Sequence, residues 1–200
     1  MKPVRSYNFN YMRFIPVTIM ILMLGTGIHI CRAQINPAGL PEPLINKSVN
    51  EVLGSGQQIK WRPYRISGPA KDSLAGHFKV KKNLPDSVYI GTVSTQSKTV
   101  YLIPDRARSK SEWFTYVLYV NEDGSIRDVD VLQYRENYGY QIDYPMFRHQ
   151  FTGKRDPGKI IFGRTIHNIS GATISARSLT YSVHDLLSLF DYLKKTKQLP

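Results

Sequence analysis

The clearest pattern of apolar and polar positions lies near the C-terminus. Apolar side chains fall there at i, i+4, i+7, i+8, i+11 and i+14, which places them on one face of a helix: Leu179, Val183, Leu186, Leu187, Phe190 and Leu193. Lysines at 194, 195 and 197 follow, where positive charge complements the helix dipole. The pattern predicts a long amphipathic helix with one face on the core.

A period of two dominates the middle of the chain. Residues 87–96 and 113–120 alternate and are rich in β-branched and aromatic side chains, which is typical of strands. The pair Asp123-Gly124 is a hairpin signal, and 126–134 follows it as the return strand. These segments predict a small antiparallel sheet.

Two aspartates stand in the return strand. Asp128 and Asp130 alternate with valines, as in a strand with one solvent-exposed face. A catalytic carboxylate pair is the alternative interpretation, and the alternation favours the strand.

The N-terminal half of the chain shows weaker patterns. Residues 44–56 carry apolar side chains at helical spacing, which predicts a short helix ending at Gly54. Residues 60–78 contain Pro63, Gly68 and Pro69, so this stretch is expected to be irregular.

The first residues are typical of an export signal. Three basic residues precede the apolar run 14–24, and Cys31-Arg32-Ala33 supplies small residues for cleavage after Ala33. We therefore expect a signal peptide over 1–33, a proline-containing spacer over 34–43 and one domain over 44–200. An uncleaved membrane anchor is an alternative. Lipidation of Cys31 is another, although the preceding His29 and Ile30 match such sites poorly.

Charge and cysteine content change with cleavage. Four basic residues and no acidic residue precede Gln34, so the formal net charge falls from +12 to +8, and the lone cysteine is lost. Disulfides and thiol catalysis are then excluded. The basic residues are scattered, without a nucleic-acid motif, so we expect an anionic envelope surface or a phosphate-bearing ligand as partner, and no nucleic acid.

Small and hydroxyl residues are concentrated just before the predicted helix, in "HNISGATISARS" (167–178). One interpretation is a plain helix cap, in which Ser or Thr bonds a backbone N–H group and Gly gives conformational freedom. The other is a phosphate site, because uncapped N–H groups and the helix dipole attract anions and small residues allow close approach. The residues alone leave both open.

The segment "SGATIS" before a C-terminal helix resembles the flavin-attachment motif of the FMN-binding domain family. That family includes flavin-carrying subunits of the sodium-pumping quinone reductase and of a related membrane electron-transport complex. Its motif is similar to Asp-x-x-Ser/Thr-Gly-Ala-Thr with a hydroxyl residue two positions on, and a separate flavin transferase joins the threonine to the FMN phosphate. The matching residues are Ser170, Gly171, Ala172, Thr173 and Ser175.

The resemblance implies an attachment loop over 167–173 with FMN esterified to Thr173. It extends upstream through "YIG" (89–91), "NEDGS" (121–125), "ENYG" (136–139) and "HQFTGK" (149–154). His167 stands where the family has an acid. The further cofactor-binding residues that it implies are His167, Glu136, Tyr138, Gly139, Phe151, Gly153 and Lys154.

Some of these residues have candidate roles. Tyr138, Tyr140 and Phe151 are candidates to stack on the flavin, with core packing as the alternative for each. Lys154 and Arg177 are candidate phosphate or flavin partners, with a solvated surface role as the alternative for Arg177.

The function implied is an exported flavoprotein electron carrier, periplasmic or on the outer face of the cytoplasmic membrane. No catalytic or metal-ligating set is evident in the sequence, so a redox subunit is favoured over a stand-alone enzyme. Its partners would be the flavin transferase and membrane-bound redox proteins. A noncovalent FMN binder and a flavin-free envelope binding or structural module are the alternatives. The expected fold is α+β: a small antiparallel sheet and a C-terminal amphipathic helix with the attachment loop at its N-terminus.

Overall fold

Neighbouring strands of the chain pair in sequence order. A computed structural model describes residues 38–77, 80, 84–94 and 98–199. Within them a five-stranded sheet has the order β1-β2-β3-β4-β5, and every neighbouring pair is antiparallel. The strands are β1 (Lys60–Arg65), β2 (Ser87–Ser94), β3 (Thr99–Arg108), β4 (Trp113–Asn121) and β5 (Ile126–Gln133). The predicted antiparallel sheet is confirmed.

Helices cover both faces of this sheet. They are α1 (Glu42–Leu53), α2 (Gly68–His77), the short α3 (Pro145–Arg148) and α4 (Thr173–Lys195), with 3-10 turns at Tyr140–Asp143 and Pro157–Lys159. All six apolar residues of the predicted C-terminal helix are buried in α4. The α+β class and the C-terminal amphipathic helix are therefore confirmed.

The core has two parts that share β4. Tyr116 and Leu118 pack in the cluster that contains the apolar face of α4. Val117 and Tyr119 point the other way, into a smaller cluster with Ile45 of α1. Because successive side chains of a strand alternate between faces, β4 is buried on both of its faces.

The prediction that 60–78 is irregular is wrong, because both of its prolines occupy tolerated positions. Pro63 lies in β1, an edge strand, where a missing N–H removes no interstrand bond that the sheet requires. Pro69 lies in the first turn of α2, where helix N–H groups have no intrahelical partner. Ser67 Oγ accepts a hydrogen bond from the N–H of Ala70 (3.3 Å), as a helix cap does.

Strand β3 is absent from the sequence prediction, and Pro104 lies within it. β3 pairs with β2 only over Thr99–Leu102 and pairs with β4 over Val100–Arg108. Pro104 therefore lies where β3 has a partner on one side only, and the sheet tolerates it.

The predicted solvent-exposed face of the return strand is also wrong. Asp130 is buried, and its carboxylate lies 2.8 Å from the guanidinium of Arg148. Asp128 and Asp143 pair with the same guanidinium at 2.7 and 3.2 Å. Arg148 of α3 thus pairs with all three aspartates and covers the buried one, as a buried acidic side chain requires.

The predicted signal peptide (1–33) lies outside the described residues, as do residues 34–37 of the spacer. The described residues belong to a unit spanning Ala33–Pro200. Helix α1 begins at Glu42 and so includes the last two residues of the predicted spacer, because Pro43 is accommodated in its first turn. Among the described helices, none has the length and apolarity needed to span a membrane.

Candidate functional site

The N-terminus of α4 has no side-chain cap. Its N-cap residue is Ala172, and none of the neighbouring hydroxyls bonds to a helix N–H group. Ala176 is the first residue to donate into the helix, to the carbonyl of Ala172 at 2.8 Å. In the described part of the chain, no acceptor faces the N–H groups of Thr173, Ile174 and Ser175. The plain-cap interpretation is therefore wrong.

Close backbone packing shapes the loop before the helix. Gly171 has φ +81°, and a Cβ at this position would lie 3.0 Å from Nε2 of Gln141. The Oε1 atom of the same Gln141 is buried and has no hydrogen-bond partner among the described residues. A hydrogen-bond acceptor thus lies unsatisfied beneath the loop, which is costly unless a ligand or water donates to it.

The Thr173 side chain is exposed and is held from one side. Nδ2 of Asn168 donates a hydrogen bond of 2.8 Å to Thr173 Oγ1. Arg177 lies one helical turn further on, on the same face of α4, with its guanidinium 5.3 Å from the centre of the Phe162 ring. A hydroxyl, uncapped N–H groups and a cation therefore lie together at this end of the helix.

The last hydroxyl residue of the motif, Ser175, is buried and joins α4 to the segment after β5. Its Oγ lies 2.8 Å from the hydroxyl of Tyr134, which donates its proton to the carbonyl of Tyr138 at 2.9 Å. Ser175 is then the donor of the first bond. Gly139, with φ +91°, packs against both hydroxyls, since an added Cβ would lie 2.3 Å from that of Tyr134.

Glu136 organises the turn between β3 and β4. Its Oε1 accepts hydrogen bonds from Ser109 Oγ (2.5 Å) and from the N–H groups of Ser111 and Glu112, both at 2.7 Å. The hydrogen bond from Ser109, followed by the two N–H donors, lowers the pKa of Glu136. This turn reaches α4, because the N–H of Arg108 donates to Ser178 Oγ (2.9 Å).

The three aromatic candidates lie in different environments. Tyr138 is 82% exposed and Tyr140 is 47% exposed, next to the loop on the 134–141 segment. Phe151 is fully buried and packs edge-on against Phe147 at a centroid distance of 5.7 Å. Core packing is therefore what the structure gives Phe151, and its proposed stacking on a flavin is corrected.

Gly153 and Lys154 lie away from Thr173. Both pair with the backbone of Ile126, at the hairpin end of β5. Lys194, near the C-terminus of α4, donates to the carbonyl of Glu122 in the same hairpin. Thr173 is 21 residues before Lys194, or about 32 Å along the helix. The structure does not bring the "GK" pair to the loop.

His167 is fixed through its backbone. Its N–H donates to Gln150 Oε1 at 2.6 Å, and its carbonyl accepts from Gln150 Nε2 at 3.2 Å. The imidazole is exposed and makes no hydrogen bond or ion pair with the described residues. Residue 150 thus holds the start of the loop, which is what the "HQFTGK" segment contributes.

Four residues of the site are absent from the sequence predictions: Tyr134, Gln141, Gln150 and Asn168. All four act through hydrogen bonds or close packing to the loop or to α4. Gln150 lies inside the "HQFTGK" segment, and Asn168 lies inside the loop itself. Tyr134 and Gln141 flank the "ENYG" motif, and position relative to that motif is the one signal that the sequence offers for them.

The fold is shared with a solved protein structure. The crystal structure of Shewanella oneidensis NqrC has 15% sequence identity and a TM-score of 0.54, over 78% of this chain and 97% of that one. The corresponding subunit of the Na⁺-translocating NADH-quinone reductase of Parabacteroides distasonis has 12% identity and a TM-score of 0.48, over 73% of this chain and 83% of that one. None of the curated proteins matches this chain.

A family model matches the part of the chain that forms the site. The match covers residues 110–188, from the turn held by Glu136 to the last third of α4, and its description is FMN-binding domain. It includes residues 167–173 before α4 and the segment that carries Tyr134 and Gly139. Residues 110–188 therefore match the model of the FMN-binding domain family, which is the family that the sequence resembles.

Proposed function

We propose that this chain is an exported flavoprotein that carries FMN, joined through its phosphate to Thr173, and relays electrons. The observation that carries the proposal is the uncapped N-terminus of α4 beside the exposed Thr173 hydroxyl. Uncapped N–H groups at the positive end of a 23-residue helix form an anion site, and a phosphate is the anionic group of FMN.

The residues present fit FMN. The N–H groups of Thr173, Ile174 and Ser175 would hold the phosphate, with Arg177 as a nearby cation. The buried Oε1 of Gln141 needs a donor, and the hydroxyls of the ribityl chain are donors. When bound, FMN supplies one- and two-electron chemistry, and a link through the phosphate leaves its ring unmodified.

Attachment is a substitution at phosphorus. A bond forms between Thr173 Oγ1 and the phosphorus of an activated flavin donor, a phosphoanhydride, whose leaving group departs with the broken P–O bond. The hydroxyl proton passes to a base on the flavin transferase, since no acidic or basic side chain among the described residues contacts Thr173 Oγ1. No oxidation accompanies this step.

Export makes a covalent link useful, because a cofactor lost outside the cytoplasm is not replaced from the cytoplasmic pool. We place the domain in the periplasm or on the outer face of the cytoplasmic membrane, with membrane-bound redox proteins as partners. The basic N-terminal segment and the fold shared with Shewanella NqrC support this.

The test is co-expression of the full chain with a flavin transferase in an exporting host. We expect a fluorescent band after denaturing electrophoresis and a mass increase equal to esterified FMN. Thr173→Ala should abolish both, Thr173→Ser should keep them, and Thr152→Ala is the matched control at an exposed threonine outside the attachment motif.

Each alternative function gives a different result. A yellow protein that loses its flavin on denaturation would identify a noncovalent FMN binder. A colourless wild-type protein, exported and folded beside an active transferase, would identify a flavin-free module. A fluorescent Thr173→Ala band would place the link on another residue.

A further inference from the structure

We infer that Asn168 is a positioning residue that holds the Thr173 hydroxyl ready for flavin attachment, an inference that rests on the proposed function. The observation is the hydrogen bond of 2.8 Å from Asn168 Nδ2 to Thr173 Oγ1. Asn168 donates, so the hydroxyl keeps its own proton and a second lone pair for other partners.

Other hydroxyls of α4 bond to a backbone carbonyl of the helix, which the Thr173 hydroxyl does not do. Thr180 Oγ1 donates to the carbonyl of Ala176 (2.7 Å), and Ser188 Oγ donates to the carbonyl of His184 (2.8 Å). Back-bonding of this kind to residue i−4 is the common state of Ser and Thr in helices. Such a hydroxyl points along the helix and has committed its proton, so it is a poor acceptor of a phosphoryl group.

The equivalent carbonyl is already in use at the start of the helix. Residue i−4 from Thr173 is Ile169, and its carbonyl accepts from the N–H of Ala172 at 3.2 Å. Thr173 Oγ1 instead accepts its hydrogen bond from the side chain of Asn168. The acceptor oxygen is therefore held away from the helix backbone.

Asn168 is itself fixed from both sides. The backbone of the preceding residue, His167, is held by Gln150 through two hydrogen bonds. The following residue, Ile169, packs into the main core cluster with 8% of its surface exposed. A side chain between two anchored residues loses little further entropy when it bonds Thr173, so the contact is well suited to positioning.

The inference requires a donor at position 168, and isosteric replacement tests this. Asn168→Asp keeps the shape and the ability to shape a turn, but it has no N–H group to donate. Asn168→Ala removes the side chain. Asn137 is an exposed asparagine in the same site region that does not contact Thr173, so Asn137→Asp and Asn137→Ala are the matched controls.

The experiment measures the initial rate of flavin incorporation into the full chain at a fixed transferase concentration, read from fluorescence on denaturing gels. Loss of one orienting hydrogen bond should slow incorporation about tenfold in both Asn168 variants. The Asn137 variants should match wild type, and all four should keep the wild-type melting temperature because both asparagines are exposed. Incorporation into Asn168→Asp at the wild-type rate would overturn the inference.

A second measurement needs no flavin. In the ¹⁵N spectrum of the unloaded protein, Thr173→Val should shift the side-chain NH₂ signals of Asn168, and Ser170→Ala should not. Unshifted Asn168 signals in Thr173→Val would show that the bond does not form and would also overturn the inference. Wild-type protein that takes up no flavin beside an active transferase would contradict the proposed function instead. Failure of the inference on Asn168 can therefore be distinguished from failure of the proposed function.

Discussion

Tyr134 and Ser175 share a hydrogen bond of 2.8 Å across 41 positions of sequence, and this bond joins the end of β5 to the first turn of α4. The same tyrosine hydroxyl bonds the carbonyl of Tyr138, on the segment that also carries Gly139 and Gln141. The Tyr134 side chain therefore fixes both the start of α4 and the segment after β5 at the candidate site.

Tyr134→Phe should loosen the site. The change leaves the Ser175 hydroxyl and the Tyr138 carbonyl without their shared partner, so we expect a loss of about 1–3 kcal/mol in unfolding free energy by urea titration. Tyr138→Phe is the control, because the Tyr138 hydroxyl is exposed and makes no bond with the described residues. Equal stabilities of the two variants would contradict the role given to Tyr134.

Gly139→Ala should lower the stability of the fold by more than the backbone strain alone would. Its φ of +91° strains any side chain, and the new Cβ would also lie 2.3 Å from the Tyr134 hydroxyl. Gly153→Ala isolates the backbone cost of about 1–2 kcal/mol, since φ is +79° there and nothing lies within 4 Å of the added Cβ. We expect a lower melting temperature for Gly139→Ala than for Gly153→Ala, and the reverse order would rule out the close packing.

Protonation of Glu136 at acid pH should loosen the turn between β3 and β4. Hydrogen bonds from Ser109 and from two backbone N–H groups lower its pKa. A carboxylate with a lowered folded-state pKa stabilises the fold above its unfolded pKa, and that contribution is lost as pH falls through the folded value. The turn should therefore stay intact at neutral pH and loosen only below about pH 4.3, the ordinary glutamate value.

Trp113 lies at the start of β4 beside this turn, so its fluorescence can report the loosening of the turn. The chain has two tryptophans, and Trp61→Phe removes the signal of the other one. Glu136→Gln accepts the same hydrogen bonds without titrating, so it should lack the transition while far-UV circular dichroism follows global unfolding in both proteins. A transition that persists unchanged in Glu136→Gln would assign it to another group.

Arg148→Met should cost far more than removal of an exposed arginine. It leaves three carboxylates facing one another, including the buried Asp130, and removal of one partner from a buried ion pair costs about 3–5 kcal/mol. Arg155→Met is the control, because Arg155 pairs with Asp123 at the surface, where such pairs contribute about 0–1 kcal/mol. Urea titration of both variants measures the difference, and similar losses would show that the cluster is well hydrated.

His167→Asp should leave flavin occupancy unchanged, although it restores the acid that the family motif carries. The structure holds His167 by its backbone through Gln150, and the imidazole makes no polar contact with the described residues. Intact mass after co-expression with the transferase measures occupancy. A marked rise would mean that the transferase reads an acid at this position directly, in which case the natural histidine limits attachment.

Local patterns predict the elements whose signal is uninterrupted. The stripe of α4, the alternation of β2, β4 and β5, and Gly54 at the end of α1 all follow from the sequence. The missed strands β1 and β3 and the missed helix α2 share one physical cause, since Pro63, Pro69 and Pro104 break patterns but occupy positions where no N–H is needed. Whether a strand lies at an edge depends on its neighbours, and local sequence does not contain them.

The residues of the candidate site likewise fall into those that local sequence predicts and those that it does not. The helix start and its hydroxyl residues are contiguous, so a motif could identify them. The contacts that hold them come from Tyr134, Gln141 and Gln150, whose importance depends on chain topology. Topology also separates Lys154 from Thr173, although both belong to motifs of the family-like pattern.

The double burial of β4 has a consequence for motion. Tyr119 bonds Ser48 of α1 at 2.6 Å, while Tyr116 on the same strand bonds Asp105, which also accepts from Ser182 of α4. Opening either helical layer exposes one side of β4, so the layers are expected to unfold as one cooperative unit with the slowest hydrogen exchange in β4. A cofactor tethered at the start of α4 would be mounted on this cooperative unit, and its distance to a docked electron partner would vary little.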